Sequence, residues 1–156
     1  MITDAIDAPD ALSTALQEEL DALLLLHALL VKLQPGPLRF QYLEVLDETA
    51  RQERRVRAQL ESWLRSGASV TAANVSTQVG RTIPPEHELD ELNSYELLTL
   101  LADNAGRGMD MLEDLAERCL DAETSNLLHL VAQAEFQHKS KFLMDLELHR
   151  RYKGYL

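Results

Sequence analysis

The sequence predicts an all-α protein built from four long helices, which form two antiparallel hairpins joined by a long crossover. Three observations predict this class. Hydrophobic residues make up 46% of the 156 residues and aromatic residues only 5%. Only six glycines and five prolines occur, most of them in two short regions. Elsewhere the apolar residues recur at spacings of three and four, which is the period of an amphipathic helix.

The length and charge of the chain limit its organisation and partners. A chain of 156 residues is most simply one domain, residues 1–156, because it can bury a sizeable core by itself. A net charge of -11 argues against nucleic acid and against an anionic membrane surface as partners. Met1–Pro9 lacks the basic start of a signal peptide, and the most apolar run, Leu23–Val31, is far shorter than a membrane span. We therefore expect a cytoplasmic protein.

The first predicted hairpin contains helices at about residues 10–33 and 38–65. The link Gln34–Pro37 cannot continue a helix, and a link this short returns the chain antiparallel. The expected buried stripe of the first helix is Leu12, Leu16, Leu20, Leu23, Leu24, His27, Leu30 and Val31. That of the second is Tyr42, Leu46, Thr49, Ala50, Glu53, Val56, Leu60, Trp63 and Leu64. Glu53 thus places a carboxylate at a core position. The arginines around it are expected to be solvated: Arg51, Arg54, Arg55 and Arg57.

Residues 66–92 break the helical pattern and contain Pro84-Pro85. A connection of this size needs a reason inside a compact domain. A crossover along the second helix supplies one, since about 26 residues easily span the roughly 40 Å length of that helix.

The second predicted hairpin contains helices at about residues 93–120 and 125–151, the first of them with Ser94 as its N-cap. The third helix is expected to bury Tyr95, Leu98, Ala102, Ala105, Met109, Leu112, Ala116 and Cys119. No acidic residue or histidine lies on that series, and Gly106 and Gly108 are expected to allow close approach by a neighbour. The expected stripe of the fourth helix is Leu128, Val131, Glu135, His138, Phe142 and Leu146.

The pair Glu135-x-x-His138 is the clearest functional signal, because it places a carboxylate and an imidazole in a stripe that should be buried. Such burial needs a metal ion, a buried partner or water. Carboxylate oxygens and an imidazole nitrogen suit iron, manganese or zinc. His27 is expected to be an ordinary core histidine.

The two motifs around these residues resemble those of the rubrerythrin branch of the ferritin-like proteins. Ala134-Glu135-Phe136-Gln137-His138-Lys139-Ser140-Lys141-Phe142 is similar to the fourth-helix ligand motif of that family. Asp47-Glu48-Thr49-Ala50-Arg51-Gln52-Glu53-Arg54-Arg55-Val56 is similar to its second-helix motif. The resemblance covers nearly the whole chain, and it implies a ferritin-like four-helix bundle with iron or manganese and redox chemistry with oxygen or peroxide. Zinc is a further option from the donor chemistry alone.

The same resemblance implies an incomplete di-metal site. Glu53 and Glu135 match the bridging glutamates and His138 a terminal histidine. Val56 stands where the second histidine belongs, and Ala102 stands where a third-helix glutamate belongs, with Asp103 as a shifted substitute. Leu20 falls at the first-helix glutamate position, to which a shift of one residue would bring Glu19. The candidate metal ligands are therefore Glu53, Glu135, His138 and Glu19.

An alternative interpretation contains no metal. A protonated His138 between Glu53 and Glu135 would form a buried hydrogen-bonded cluster. The protein would then be a helical bundle that acts by protein association, and we expect a homodimer formed through exposed helix faces. The single cysteine, Cys119, is expected to be packed in the core, and one cysteine cannot build the four-cysteine iron centre that supplies electrons in rubrerythrins.

Overall fold

The computed structural model describes residues 4–71 and 83–156 and consists of helices: α1 (Ala8–Lys32), α2 (Pro37–Arg65), the single turn α3 (Glu86–Leu89), α4 (Ser94–Arg118) and α5 (Ala122–Arg151). The all-helical class is confirmed. The four long helices begin and end within three residues of the predicted bounds. α3 lies in the predicted crossover, of which residues 72–82 fall outside the described residues.

The four long helices form two hairpins that pack together. α1 packs on α2, and α4 packs on α5. The Ile6 amide donates to the Arg118 carbonyl, so the start of α1 lies at the end of α4. At the opposite end the Lys32 ammonium donates to the Asp90 carbonyl, just before α4. α1 and α4 are therefore antiparallel, and α2 and α4 run in the same direction, which requires a connection along the length of α2.

The starts of α4 and α5 are set by side-chain caps. Asn93 is the N-cap of α4, and its side chain and that of Glu96 form a capping box. The prediction that Ser94 is the cap is wrong, because Asn93 has the extended backbone and the acceptor that a cap requires. Asp121 caps α5 by accepting from the Thr124 amide at 2.9 Å, which starts that helix before the predicted Ser125. Hydrogen bonds from the Thr124 hydroxyl and then from its amide hold the pKa of the Asp121 carboxyl below its usual value.

The buried face of α1 differs from the predicted stripe. Leu20 is 42% exposed and His27 is also exposed, so the predictions that both lie in the core are wrong. Glu18 and Glu19 are buried in their place. The leucines of α1 lie on all sides of the helix, so apolar periodicity alone does not identify the face that is buried. The observed face is centred on small residues, Ala11, Ala15 and Ala22, which allow neighbouring helices to approach closely.

The hydrophobic core is divided into two clusters. Cluster A includes Leu12, Val56, Leu112 and Leu128. Cluster B includes Leu26, Tyr42, Leu98 and Phe142. Each cluster therefore contains residues from all four long helices, and the two occupy opposite ends of the molecule.

Cys119 is buried, as predicted, and burial raises the pKa of its thiol. Within residues 4–71 and 83–156, no helix combines the length and apolarity needed to cross a membrane.

Candidate functional site: a buried polar layer

A layer of buried polar side chains separates the two hydrophobic clusters. It consists of Glu18, Glu19, Thr49, Glu53, Asn104, Glu135 and His138. On α1 the two glutamates lie between Ala15 of cluster A and Leu25 of cluster B. On α5, Glu135 and His138 lie between Ala132 of cluster A and Phe142 of cluster B. All four candidate ligands, Glu19, Glu53, Glu135 and His138, are thus buried in this layer.

Glu18 is a member of the layer that the sequence analysis did not select. Its side chain is fully buried, and its carboxylate lies against the backbone of Gly108 on α4. A Cβ atom at Gly108 would be 2.2 Å from Glu18 Oε1, so glycine is required for this packing. The glycines of the third helix predicted a close neighbour, but no local pattern identifies Glu18 as that neighbour.

Glu53 on α2 pairs with an arginine one turn further along the same helix. Arg57 Nε donates to Glu53 Oε1 at 2.8 Å, and Arg57 Nη2 also contacts this oxygen. The bond raises the pKa of Arg57. The Arg57 side chain remains 51% exposed, whereas that of Glu53 is 4% exposed. The prediction that Arg57 is solvated is therefore confirmed, and its guanidinium also donates to the carboxylate of the buried Glu53.

His138 pairs across the α2–α5 contact. Its Nε2 lies 2.9 Å from Oε2 of Glu48, and its ring is tilted against that of Phe142. The metal-free interpretation placed His138 between Glu53 and Glu135. The partner Glu53 is wrong, because the carboxylate that pairs with His138 Nε2 is that of Glu48. Because Glu48 is half-exposed, it can reach His138 from the rim of the layer.

A small pocket lies on the cluster B side of the layer. Its volume is about 10 Å³, which is near the space that one buried water molecule needs. Four polar residues of the layer line it, namely Thr49, Asn104, Glu135 and His138. The remaining lining is apolar. The cavity shows that the side chains of α2, α4 and α5 meet at one place in the interior.

Asn104 is the contribution of α4 to this layer. The predicted series on this helix passed through Ala102 and Ala105, both of which are buried. Asp103, the shifted substitute for a glutamate ligand, is exposed and lies outside the layer. Glu18, Glu19, Asn104 and Glu135 each interact with other groups as well. The layer is thus a polar network rather than a set of isolated charges.

The types of donor in the layer fit a metal ion, but the orientations of the side chains do not. Glutamate oxygens and an imidazole suit iron, manganese and zinc. In the part of the chain that the structure describes, however, no three His, Cys, Asp or Glu side chains are grouped as ligands of one ion. Glu53 is directed to Arg57 and His138 to Glu48.

Comparisons of the chain with protein-family models, with curated proteins and with solved structures give no match.

Proposed function

We propose that the chain is a ferritin-like four-helix bundle, related to the rubrerythrins, whose buried polar layer binds one divalent ion of iron, manganese or zinc. The observation that carries this proposal is the layer itself. Four glutamates and a histidine are buried at one level, between two hydrophobic clusters. Burying carboxylates is costly unless positive charge compensates them. A divalent ion would supply two such charges at the centre of the layer.

The arrangement of the helices supports the ferritin-like assignment. α2 and α4 run in the same direction, so the link between them must travel the length of the bundle. Ferritin-like folds contain one long crossover, whereas up-down-up-down bundles contain short loops only. The motifs around Glu53 and Glu135 lie on facing helices, as that family would require.

Metal binding would require two exchanges of partner. Glu53 would give up its bond to Arg57, and His138 would give up its bond to Glu48. The side chains of Arg57 and Glu48 are both about half-exposed, so each can turn toward solvent. Glu19 and Glu135 already lie in the same layer. The resemblance implies chemistry with oxygen or peroxide, and that chemistry would require a bound metal.

A metal titration of untagged protein tests this proposal. We expect on the order of one iron, manganese or zinc ion per chain. At a free metal concentration of 100 times Kd, binding should add about 2.7 kcal/mol to the free energy of unfolding. Glu135→Gln and His138→Ala should abolish both effects. Glu44→Gln, which changes an exposed glutamate of α2, is the matched control and should leave both unchanged.

A second candidate is a metal-free bundle that acts by protein association as a homodimer. The pairs Glu53–Arg57 and Glu48–His138 favour it, because they already compensate two members of the layer. In that case no metal would bind, and Glu135→Ala would leave the free energy of unfolding unchanged or raise it. The same titration therefore decides between the two candidates.

A further inference from the structure

An open pocket lies at the cluster A end of the molecule. It is formed where the segment before α1, the residues that follow α2 and the link between α4 and α5 meet. We define this end pocket by Asp7, Trp63, Ser69, Leu120 and Asp121. Its volume is about 520 Å³, which is within the range of small-molecule binding sites. No residue of the polar layer lines it, so the two sites are separate.

Hydrogen bonds hold the walls of the end pocket in place. The Ile6 amide donates to the Arg118 carbonyl at 3.0 Å, which fixes the segment before α1. The chain turns after α2 at Gly67, which has a φ of 97°. It is then tied to α1, because the amide and the hydroxyl of Thr71 both donate to the fully buried carboxylate of Asp10. The pocket is therefore preformed, and a ligand would not have to order its walls.

Trp63 supplies the aromatic surface of the end pocket, and it is the only tryptophan of the chain. Its side chain is partly buried and packs against cluster A while it also lines the pocket. Leu120, which is 73% exposed, adds apolar surface. Among aromatic side chains, the indole attracts cations most strongly.

Two carboxylates give the end pocket its charge. Asp7 is exposed at the start of α1, and its side chain makes no capping hydrogen bond there. Asp121 caps α5, and the hydrogen bonds that it accepts lower the pKa of its carboxyl, so it is ionised at neutral pH. Burial first, and then the charges of Asp121 and Asp7, raise the pKa of the Cys119 thiol, which places both carboxylates near that side chain. None of the described residues that line the pocket is basic.

We propose that the end pocket binds a small organic cation, an alkyl amine or a quaternary ammonium ion. The cation would lie against the indole of Trp63, and Asp7 and Asp121 would balance its charge. A metal ion fits this pocket less well, because in residues 4–71 and 83–156 no three His, Cys, Asp or Glu side chains are grouped as ligands of one ion. This inference depends neither on metal binding in the polar layer nor on dimer formation.

Isothermal titration calorimetry of the full chain with choline and with putrescine tests the pocket. At least one of these cations should bind. The fluorescence of Trp63 should change with the same Kd, because no other tryptophan contributes to the signal. Dimethylbutanol and butanediol, the neutral analogues of the two cations, should bind at least ~10-fold more weakly, since they keep the shape and lack the charge.

Substitutions of the two carboxylates locate the cation. Asp7→Asn and Asp121→Asn should each raise the Kd about 10-fold, because each removes a charged acceptor. Asparagine is as good an N-cap as aspartate, so both variants should fold, and circular dichroism checks this. Glu123→Gln is the matched control. Glu123 is exposed in the first turn of α5 and does not line the pocket, so this change should leave the Kd unchanged.

Three results would overturn the proposal. The first is that neither cation binds at ~10 mM. The second is that the neutral analogues bind as tightly as the cations. The third is that Glu123→Gln weakens binding as much as the two aspartate substitutions do, because the cation would then be attracted only by the net charge of -11.

Discussion

The hydroxyl of Tyr42 on α2 donates a 2.6 Å hydrogen bond to the carboxylate of Asp145 on α5, and both side chains are buried. Asp145 also accepts from the Tyr155 hydroxyl at 2.9 Å and pairs with Lys141 at 3.1 Å. Lys141 in turn lies over the Tyr42 ring. This network joins α2, α5 and the C-terminal segment beside cluster B, where Leu156 also packs.

Removing the Tyr42 hydroxyl should therefore weaken the fold. We expect Tyr42→Phe to lower the free energy of unfolding by about 1–3 kcal/mol, because a buried carboxylate loses one of its donors. Urea denaturation measures this change. Tyr95→Phe is the control, since Tyr95 is half-exposed and the change should stay within about 0.5 kcal/mol. Equal effects of the two substitutions would contradict a role for the network.

The same network predicts a loss of stability at alkaline pH. Burial, and then the hydrogen bond to Asp145, raises the pKa of Tyr155 to about 12. The pKa of Tyr42 is raised further, also by burial first. An unfolded tyrosine titrates near pH 10, so the neutral phenols stabilise the folded state below that pH. Between pH 10 and 12 the unfolded chain loses these protons first, and the free energy of unfolding falls.

Denaturation midpoints measured from pH 9 to 12 will test this dependence. Tyr155→Phe should make the decline shallower, because one of the two shifted groups is gone. A decline of the same steepness in wild type and Tyr155→Phe would show that other groups control the alkaline limit.

Gly108→Ala should destabilise the protein, although alanine normally stabilises a helix by about 1 kcal/mol relative to glycine. The new methyl group would lie 2.2 Å from Glu18 Oε1, so the carboxylate or α1 must move. Gly106→Ala is the control, because its methyl group would meet only the flexible end of Lys139 at 3.4 Å. Thermal unfolding of both variants measures the difference.

A second substitution identifies the cause of this effect. Adding Glu18→Ala to Gly108→Ala removes the atom that the methyl group would meet, so it should recover part of the lost stability. If the double variant lost at least as much free energy of unfolding as the two single variants together, the contact between Glu18 and Gly108 would not be the cause.

Asn93→Ala should cost about 1 kcal/mol, because the Glu96 amide loses its capping acceptor. Ser94→Ala, one residue further into α4, should change the free energy of unfolding much less. Chemical denaturation compares the two variants directly. The reverse order would restore the assignment of the cap to Ser94.

Arg57→Gln should raise the metal affinity of the polar layer if Glu53 is a ligand, because the arginine no longer competes with the ion for Glu53 Oε1. Without metal the substitution should lower the free energy of unfolding, because the buried carboxylate of Glu53 loses its charged donor. Competition with a chelator measures the affinity, with Arg54→Gln as control. An unchanged metal affinity would remove Glu53 from the ligand set.

Helical periodicity predicted the buried positions of the main polar residues of α2 and α5 correctly. Tyr42, Glu53, Glu135 and His138 are all buried at predicted positions. α1 could not be predicted in the same way. Its leucines cover most of the helix surface, so its buried face depends on what its neighbours accommodate, and the space beside Gly108 accepts Glu18. The pairing of His138 with Glu48 also depends on tertiary packing. Arg57 and Glu53, in contrast, form an i, i+4 pair that helical spacing alone could have indicated.

The polar layer also determines the axial alignment of the helices. If one helix slid by a turn along its neighbours, the leucines of clusters A and B could pack almost equally well. Each leucine would then occupy a position that another leucine had left. Such a slide of α5 along α2 would move Glu135 toward the hydrocarbon of cluster B or cluster A. An uncompensated carboxylate there costs several kcal/mol. The buried glutamates therefore select a single register from the several that the leucines alone would permit.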